Sequence, residues 1–446
     1  MTWQTYCNKF ETLLQDDREL TTIRQELFFR IGSSKVKAFI RFVLYVLQFL
    51  KYLIKSNKKI EFIEAQNLYF IDSPTSANLG TLKPLILKDE SEKIILVNNQ
   101  VQKSNGFNDI KKNITINFQD FYKVYFRDIF YLFQVSQKIA KHMDTSFFIV
   151  FPMLCRYVFN KNSLEYILSN LKVKNIILSN DTLLTSNTAI LIARKYNIND
   201  YTLQHGFLTH FYVPTTTTNY IVWGEKAKEW FRMQKTKSNL LPLGTPRLDE
   251  VESIKKNSEA IKNRFYKKYK IDRNKKLFFY MSHSQAPEFG RELHKKNFEA
   301  LQAVLDNDNY QLMIKLHPSE KEDLFNEVFA EHKDKIILLP KDENLHHAIV
   351  SSTICGSAYS TTLVESMCFE KPTLQMNMSQ IKELPDYSKK EGCIAVENIE
   401  TLQIILNEED FTNELKRQNE YVDKYFNNLG CASETILEYI GKNHAC

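Results

Sequence analysis

The feature that most constrains this chain is an alternation of apolar strand-like runs and helical stretches that occurs in two separate series. In the first, "VKNIILSND" reads as a buried strand ending at Asp181, "LLTSNTAILIARKYNI" as a helix and "YTLQHG" as the next strand. "NYIVWG", "EKAKEWFRM" and "NLLPLG" then repeat the order strand, helix, strand. In the second series "KKLFFYMSHS", "YQLMIKLHP", "DKIILLP", "TICGSA" and "PTLQMN" read as strands, and "FEALQAVLDN", "NLHHAIVSS" and "TTLVESMCFE" as helices. Strands that alternate with helices belong to parallel sheets, because a parallel neighbour is reached only through a crossover connection. Upstream, "EKIILVNNQ" and "SFFIVFP" predict further strands within a first 170 residues that are otherwise hard to parse.

A chain of 446 residues exceeds what one hydrophobic core usually organises. The polar helical stretch "GTPRLDEVESIKKNSEAIKN" separates the two series. The expected fold class is therefore α/β, with two Rossmann-like domains facing each other across a cleft. Residues 1–250 form the first, residues 251–410 the second, and helices over 411–446 pack back on the first.

Charge narrows the partners. A net charge of +6, from 59 basic and 53 acidic residues, is too mild to imply nucleic acid and suits anionic substrates or anionic lipid. The segment Lys35 to Lys59 holds seven basic residues, no acidic ones and a run of Phe, Leu, Ile, Val and Tyr. Arg41 and Lys51 interrupt that run, so it is too short to span a bilayer and reads as an interfacial helix, with Lys51, Lys55, Lys58 and Lys59 facing anionic lipid. A buried helix with a basic exposed face accounts for the same composition. Seven cysteines without metal spacing point to reduced thiols, and "MTWQTYCNKFETLLQDDREL" lacks the pattern of a secretory signal. The expectation is a cytoplasmic protein, peripheral on the inner face of the membrane.

Ligands of open parallel sheets collect outside the carboxyl ends of the strands. His317 ends "YQLMIKLHP", and Pro318 sets the exit direction, which leaves the imidazole free to donate to a phosphate oxygen. Lys315 lies two places earlier and adds charge if the strand stays regular. In "GSAYSTTLVESM", from Gly356, Ser360, Thr361 and Thr362 stand where a strand gives way to a helix and can bind phosphate. Glu365 can accept the hydroxyls of a ribose, although Thr362 to Glu365 is also an ordinary capping box. His205 closes a strand of the first series and suits removal of a proton from an acceptor hydroxyl, with Asp181 as the rival base or its orienting partner. Ser282 and His283 in "YMSHSQ" are further phosphate candidates, and Arg247 in "GTPRLD" is an acceptor or hinge candidate that could also touch phosphate; both sites read equally as loop residues. Asp306 and Asp308 fall at the opposite end of a strand and read as turn residues. No HExxH, GxGxxG or GxxxxGK[ST] pattern occurs.

Taken in order, "LQHGF", "NYIVWGEKAKEWF", "LGTPRLD", "KLHPSE" and "STTLVESMCFEKPTL" resemble the GT-B glycosyltransferases of bacterial capsule and surface-polysaccharide synthesis. They also resemble the related CDP-glycerol glycerophosphotransferases of teichoic acid assembly. The likeness runs from about Lys174 to Gly430 and rests on order and spacing. It implies a donor nucleotide held by the C-terminal domain, through His317 and Ser360 to Thr362, and an acceptor held by the other domain, with His205 as base. The chain departs from the bacterial sialyltransferase pattern in having no Asp/Glu-Asp/Glu-Gly triplet, which counts against a sialic acid donor.

The expected activity is inverting, metal-independent transfer of a sugar from a CMP- or UDP-type donor to a growing capsular or lipooligosaccharide glycan. The partners are then a nucleotide sugar, an oligosaccharide or lipid-linked acceptor and an anionic membrane surface, with no cofactor and no metal. Polyol-phosphate transfer from CDP-glycerol or CDP-ribitol is the alternative, and a non-catalytic membrane scaffold is a third reading.

Overall fold

The computed structural model describes residues 2–14, 18–55, 58–103, 113–206, 208–283, 290–382, 387–388 and 392–442. The chain divides into two compact units, Met1–Arg247 with Cys431–Cys446, and Leu248–Gly430.

The first unit holds a parallel sheet of seven strands, β1 (Ile63–Ile71), β2 (Lys93–Val97), β3 (Asn113–Asn117), β4 (Leu171–Leu178), β5 (Asn199–Leu203), β6 (Asn219–Val222) and β7 (Asn239–Pro242). Their order is β3-β2-β1-β4-β5-β6-β7. Side chains alternate across a strand, so each strand feeds two cores. On one face Leu68, Phe70, Ile94, Leu96, Ile176 and Leu178 are buried under the helix Phe147–Ser169 and its neighbours. On the other, Tyr69, Ile71, Ile95 and Ile177 meet Leu82, Leu85 and Ile86 of the helix Ser76–Lys88, together with Ile436 and Ile440 of the helix Ala432–Lys442. The helix Ala432–Lys442 thus contributes to the core of the first unit. The preceding helix, Thr412–Tyr425, belongs to the second unit, so only the last of the helices expected to return does so.

"SFFIVFP", expected as a strand, opens the helix Phe147–Ser169. Ser146 caps it by accepting from the Phe148 N–H at 3.2 Å. From Ile149 to Cys155 every residue is buried, and a helix covered on all sides loses the periodicity that distinguishes it from a strand. β1 and β3 escaped the sequence reading for other reasons. β1 carries the buried polar residue Asn67, and β3 is half exposed.

The second unit holds six parallel strands, β8 (Lys276–Met281), β9 (Tyr310–Lys315), β10 (Ile336–Leu338), β11 (Ile354–Ser357), β12 (Thr373–Met376) and β13 (Ile394–Val396). Their order is β10-β9-β8-β11-β12-β13. Phe278 and Tyr280 of β8 pack with Leu312, Ile314, Ile354, Leu374 and Met376 in one core. β8 is paired with β9 on one side and β11 on the other.

Candidate functional site

In each sheet the chain builds outward in one direction and then returns to build the other. The switch lies between β8 and β11 in the second unit and between β1 and β4 in the first. Adjacent loops diverge at such a point and leave room for a ligand at the carboxyl ends of the strands.

In the second unit the three neighbouring strands β9, β8 and β11 end at His317, at Ser282 and His283, and at the turn leading to Ser360. The His317 backbone N–H donates to the Ser282 hydroxyl at 2.7 Å, and that hydroxyl, itself buried, donates to the Glu320 carboxylate. Glu320 also donates its backbone N–H to the His317 carbonyl at 2.8 Å, closing a turn around Pro318. The ring is fixed as well. His317 Nδ1 lies 2.7 Å from the Ser319 hydroxyl and accepts the Ser319 backbone N–H at 3.2 Å. A ring nitrogen that accepts from an amide is unprotonated, so the neutral imidazole carries its proton on Nε2. Burial holds the His317 pKa below the ordinary value, with His294 and Lys341 adding to the effect and Glu320 opposing it. The result is a neutral ring presenting an N–H donor at Nε2.

Behind it lies a buried layer. His294 Nδ1 is 3.3 Å from Glu320 Oε1, a contact not aligned as a hydrogen bond. The His283 ring stacks on His294 with centroids 3.7 Å apart and meets the edge of Tyr359 at 4.2 Å. Burial first, then His294 and His317, push the His283 pKa down to about 2, so this ring is neutral. Neither of its nitrogens has a hydrogen-bond partner among the described residues. His283 thus links Tyr359, which leads into the hydroxyl-rich turn, to His294, which faces Glu320 of the His317 turn.

In that second turn the Ser360 hydroxyl accepts the Thr362 N–H at 3.3 Å, and Ser360, Thr361 and Thr362 are all half-buried. The Thr362 hydroxyl is without a partner among the described residues. Three other candidates point elsewhere. Lys315 donates to the carbonyls of Pro340 and Lys341, both at 2.8 Å, and so anchors the loop after β10. A Cβ on Gly356 would sit 3.2 Å from the Phe278 ring, so its lack of a side chain serves core packing. Glu365 is buried, with Oε2 3.3 Å from His346 Nε2. Ser282 acts through its hold on His317, since its hydroxyl is already engaged twice.

In the first unit His205 follows β5 and is half-buried. Burial lowers its pKa to about 4, the Ser179 backbone opposes the shift and the Arg247 charge adds to it. Its Nε2 lies 3.4 Å from the Tyr212 hydroxyl. Gly206 makes that approach possible, because a Cβ there would sit 2.6 Å from the same hydroxyl oxygen. The Gln204 side chain braces the turn by donating to the Gly206 carbonyl at 3.0 Å and accepting the Trp223 N–H at 3.1 Å. Asp181, at the end of β4, accepts the N–H groups of Thr216 and Thr217 at 2.6 and 3.1 Å. Burial raises its pKa to about 6 against those two amides and the nearby Arg24 charge. Asp72, at the end of β1, is likewise raised by burial and accepts from the Ser186 hydroxyl at 2.7 Å. The Arg247 side chain lies 3.9 Å from the Cβ position of Gly80.

Sequence reasoning missed Glu320, His294, Ser319 and Tyr212. Glu320 and Ser319 were visible in "HPSE", three and two residues past His317. His294 sits among charged residues in "RELHKK" and reads as solvent-facing.

No protein-family model and no curated protein matches the chain. Solved structures do match in fold. The wall teichoic acid polymerase TagF aligns over 98% of this chain and 98% of its own, at 13% identity and a TM-score of 0.51. S. aureus MnaA in complex with UDP aligns over 85% of this chain and 96% of its own, at 15% identity and a TM-score of 0.54. The UDP-GlcNAc 2-epimerase of Neisseria meningitidis bound to UDP-GlcNAc aligns over 85% and 100%, at 15% identity and a TM-score of 0.52. The fold is GT-B-like, two α/β units each built on a parallel sheet.

Proposed function

We propose that this protein is a glycosyltransferase that moves a sugar from a CMP- or UDP-type donor to a hydroxyl of a growing bacterial surface glycan, capsular or lipooligosaccharide, with inversion. The observation that carries the reading is His317, whose ring is held at Nδ1 and so keeps its proton on Nε2, at the carboxyl end of β9, the neighbour of the strand β8 that borders the switch point. An N–H donor there meets charge that grows on a phosphate oxygen as the sugar–phosphate bond breaks. Ser360, Thr361 and Thr362, on the turn that also meets His283, supply hydroxyls and amides to the same phosphate. In the transfer the acceptor oxygen bonds to the donor carbon as the bond to phosphate breaks, and the acceptor proton passes to neutral His205 of the first unit. The charge-neutralising groups in this reading are the chain's own, and no metal is invoked.

Polyol-phosphate transfer from a CDP-linked donor is the second reading. It is favoured by the TagF likeness, which extends over 98% of the chain, whereas MnaA and the UDP-GlcNAc 2-epimerase align over about 85%. TagF has also been solved after a soak with CDPG. Thermal shifts with CMP-, CDP-, UDP- and GDP-linked donors, followed by product analysis with an acceptor glycan, test both readings. Sugar transfer supports the first, and CMP release from CDP-glycerol with no sugar donor consumed supports the second. An interconverted sugar nucleotide formed without acceptor, or the absence of any donor-dependent shift, overturns both.

A further inference from the structure

The helix Lys35–Ile54 carries two apolar stripes, and the fold uses one of them. The inner stripe, Ala38, Phe42, Tyr45, Phe49 and Tyr52, packs on the Phe147–Ser169 helix, with Phe42 5.1 Å from Phe151 and Tyr52 5.0 Å from Phe159 between ring centroids. The outer stripe, Val36, Ile40, Val43, Leu47, Leu50 and Ile54, repeats at steps of four and three residues and is 40 to 85% exposed. Beside it lies the helix Phe126–Met143, on which Phe126 and Phe130 are 72% and 71% exposed. The two helices enclose an open groove of about 350 Å³ lined only by apolar side chains, among them Leu47, Leu50, Ile129 and Phe133. A continuous apolar surface of this kind on a folded unit marks an interaction site.

We propose that this face docks on the surface of an anionic lipid bilayer. Charge selects that occupant. The helical spacing puts Lys37, Arg41 and Lys51 along one flank of the outer stripe, with no carboxylate in ion-pair reach among the described residues and no acidic residue between Lys35 and Lys59. A second copy of the chain would bring like charges together, whereas a bilayer offers hydrocarbon to the stripe and anionic headgroups to the flank. Lys55 and Lys58, expected to face lipid, are instead engaged by Asp120, through its backbone carbonyl at 2.6 Å and its carboxylate at 2.9 Å. No helix among the described residues is long and apolar enough to cross a membrane, which leaves a helix lying in the interface.

The placement fits the reaction. Arg156 and Asn160, midway along the Phe147–Ser169 helix, reach the Thr185 hydroxyl just past the carboxyl end of β4, each at 3.2 Å. The amino-terminal half of that helix, with Phe39 and Phe42 against it, therefore extends beyond the carboxyl edge of the first sheet, the edge that carries Asp181 and His205. Resting on the function proposed above, this favours an acceptor that is itself anchored to lipid. The docking stands without it.

The test is co-sedimentation of the full chain with vesicles of phosphatidylcholine alone or mixed with phosphatidylglycerol. Binding to the mixed vesicles that weakens in high salt is expected. Ile40→Glu with Leu47→Glu should lower partitioning by about tenfold or more with the melting temperature unchanged. Lys37→Gln, Arg41→Gln and Lys51→Gln together should remove the preference for anionic vesicles. Equal binding to both vesicle types, sedimentation of the double Glu variant equal to that of the parent, or a lipid-free dimer abolished by Leu47→Glu would each overturn the proposal. Donor-induced thermal shifts are read separately, so failure of docking is distinct from failure of the proposed function.

Discussion

The His317 backbone N–H rests on the Ser282 hydroxyl at 2.7 Å, so a buried serine on one strand sets the position of a histidine on the next. Two substitutions separate contact from support. His317→Ala should lower donor turnover by about 10²-fold or more with little change in melting temperature, because it removes a donor aimed at developing charge. Ser282→Ala leaves the His317 amide and Glu320 without their shared partner and should cost about 1–3 kcal/mol of stability, with a smaller loss of turnover. Chemical denaturation and donor-release assays on both variants check this. Unchanged turnover in His317→Ala would remove that residue from the mechanism.

Gly206 and Tyr212 form a second testable pair. In Gly206→Ala the new methyl group falls 2.6 Å from the Tyr212 hydroxyl, which must swing away from His205. A loss of about 1–3 kcal/mol is expected, as for other overpacked sites. Adding Tyr212→Phe deletes the clashing oxygen and should restore most of that stability. Urea unfolding of the two single variants and the double variant measures the coupling.

Asp181 should leave a signature in the pH dependence of stability. Its folded pKa, about 6, lies above the ordinary carboxylate value, so between roughly pH 4 and 6 the folded state binds more protons than the unfolded one. Stability therefore falls as pH rises through that window. Asp181→Asn keeps an acceptor for the Thr216 and Thr217 amides and cannot ionise. The stability of the variant relative to the parent should climb by about 3 kcal/mol from pH 4 to pH 7, to order of magnitude. Denaturation series at several pH values would show it, and a difference independent of pH would refute it.

Lys315 offers a contrast with its neighbour two residues on. Its ammonium ties the loop after β10 through two carbonyls, so Lys315→Met should lower stability by about 1–3 kcal/mol. Turnover at a temperature where the variant is fully folded should stay within about twofold of the parent, since in this structure the charge serves the loop. A large fall in kcat with unchanged melting temperature would return Lys315 to the donor phosphate.

Much of the second unit was legible because its strands are short apolar runs cut off by residues that cannot continue them, such as His317-Pro318 and the serines after Gly356. The first 170 residues resisted for physical reasons. The Phe147–Ser169 helix is buried on all sides from Ile149 to Cys155 and carries Pro152, so both its periodicity and its composition mimic a strand. The site was legible only at its strand ends. His317 rests on Ser282 and His283 stacks on His294 at neighbouring strand ends, whereas Glu365 turns to His346, Lys315 to a loop and Gly356 to the core. The supporting layer of His294 and Glu320 depends on contacts across tens of residues, which spacing along the chain cannot register.

The last helix has a consequence for how the protein is made. Ile436 and Ile440 are fully buried against the Ser76–Lys88 helix, so the first unit stays unfinished until the helix Ala432–Lys442 has left the ribosome. The whole Leu248–Gly430 unit emerges before that happens and can fold ahead of it. A chain interrupted after Gly430 would then lose part of the first unit's core and keep the Leu248–Gly430 unit whole.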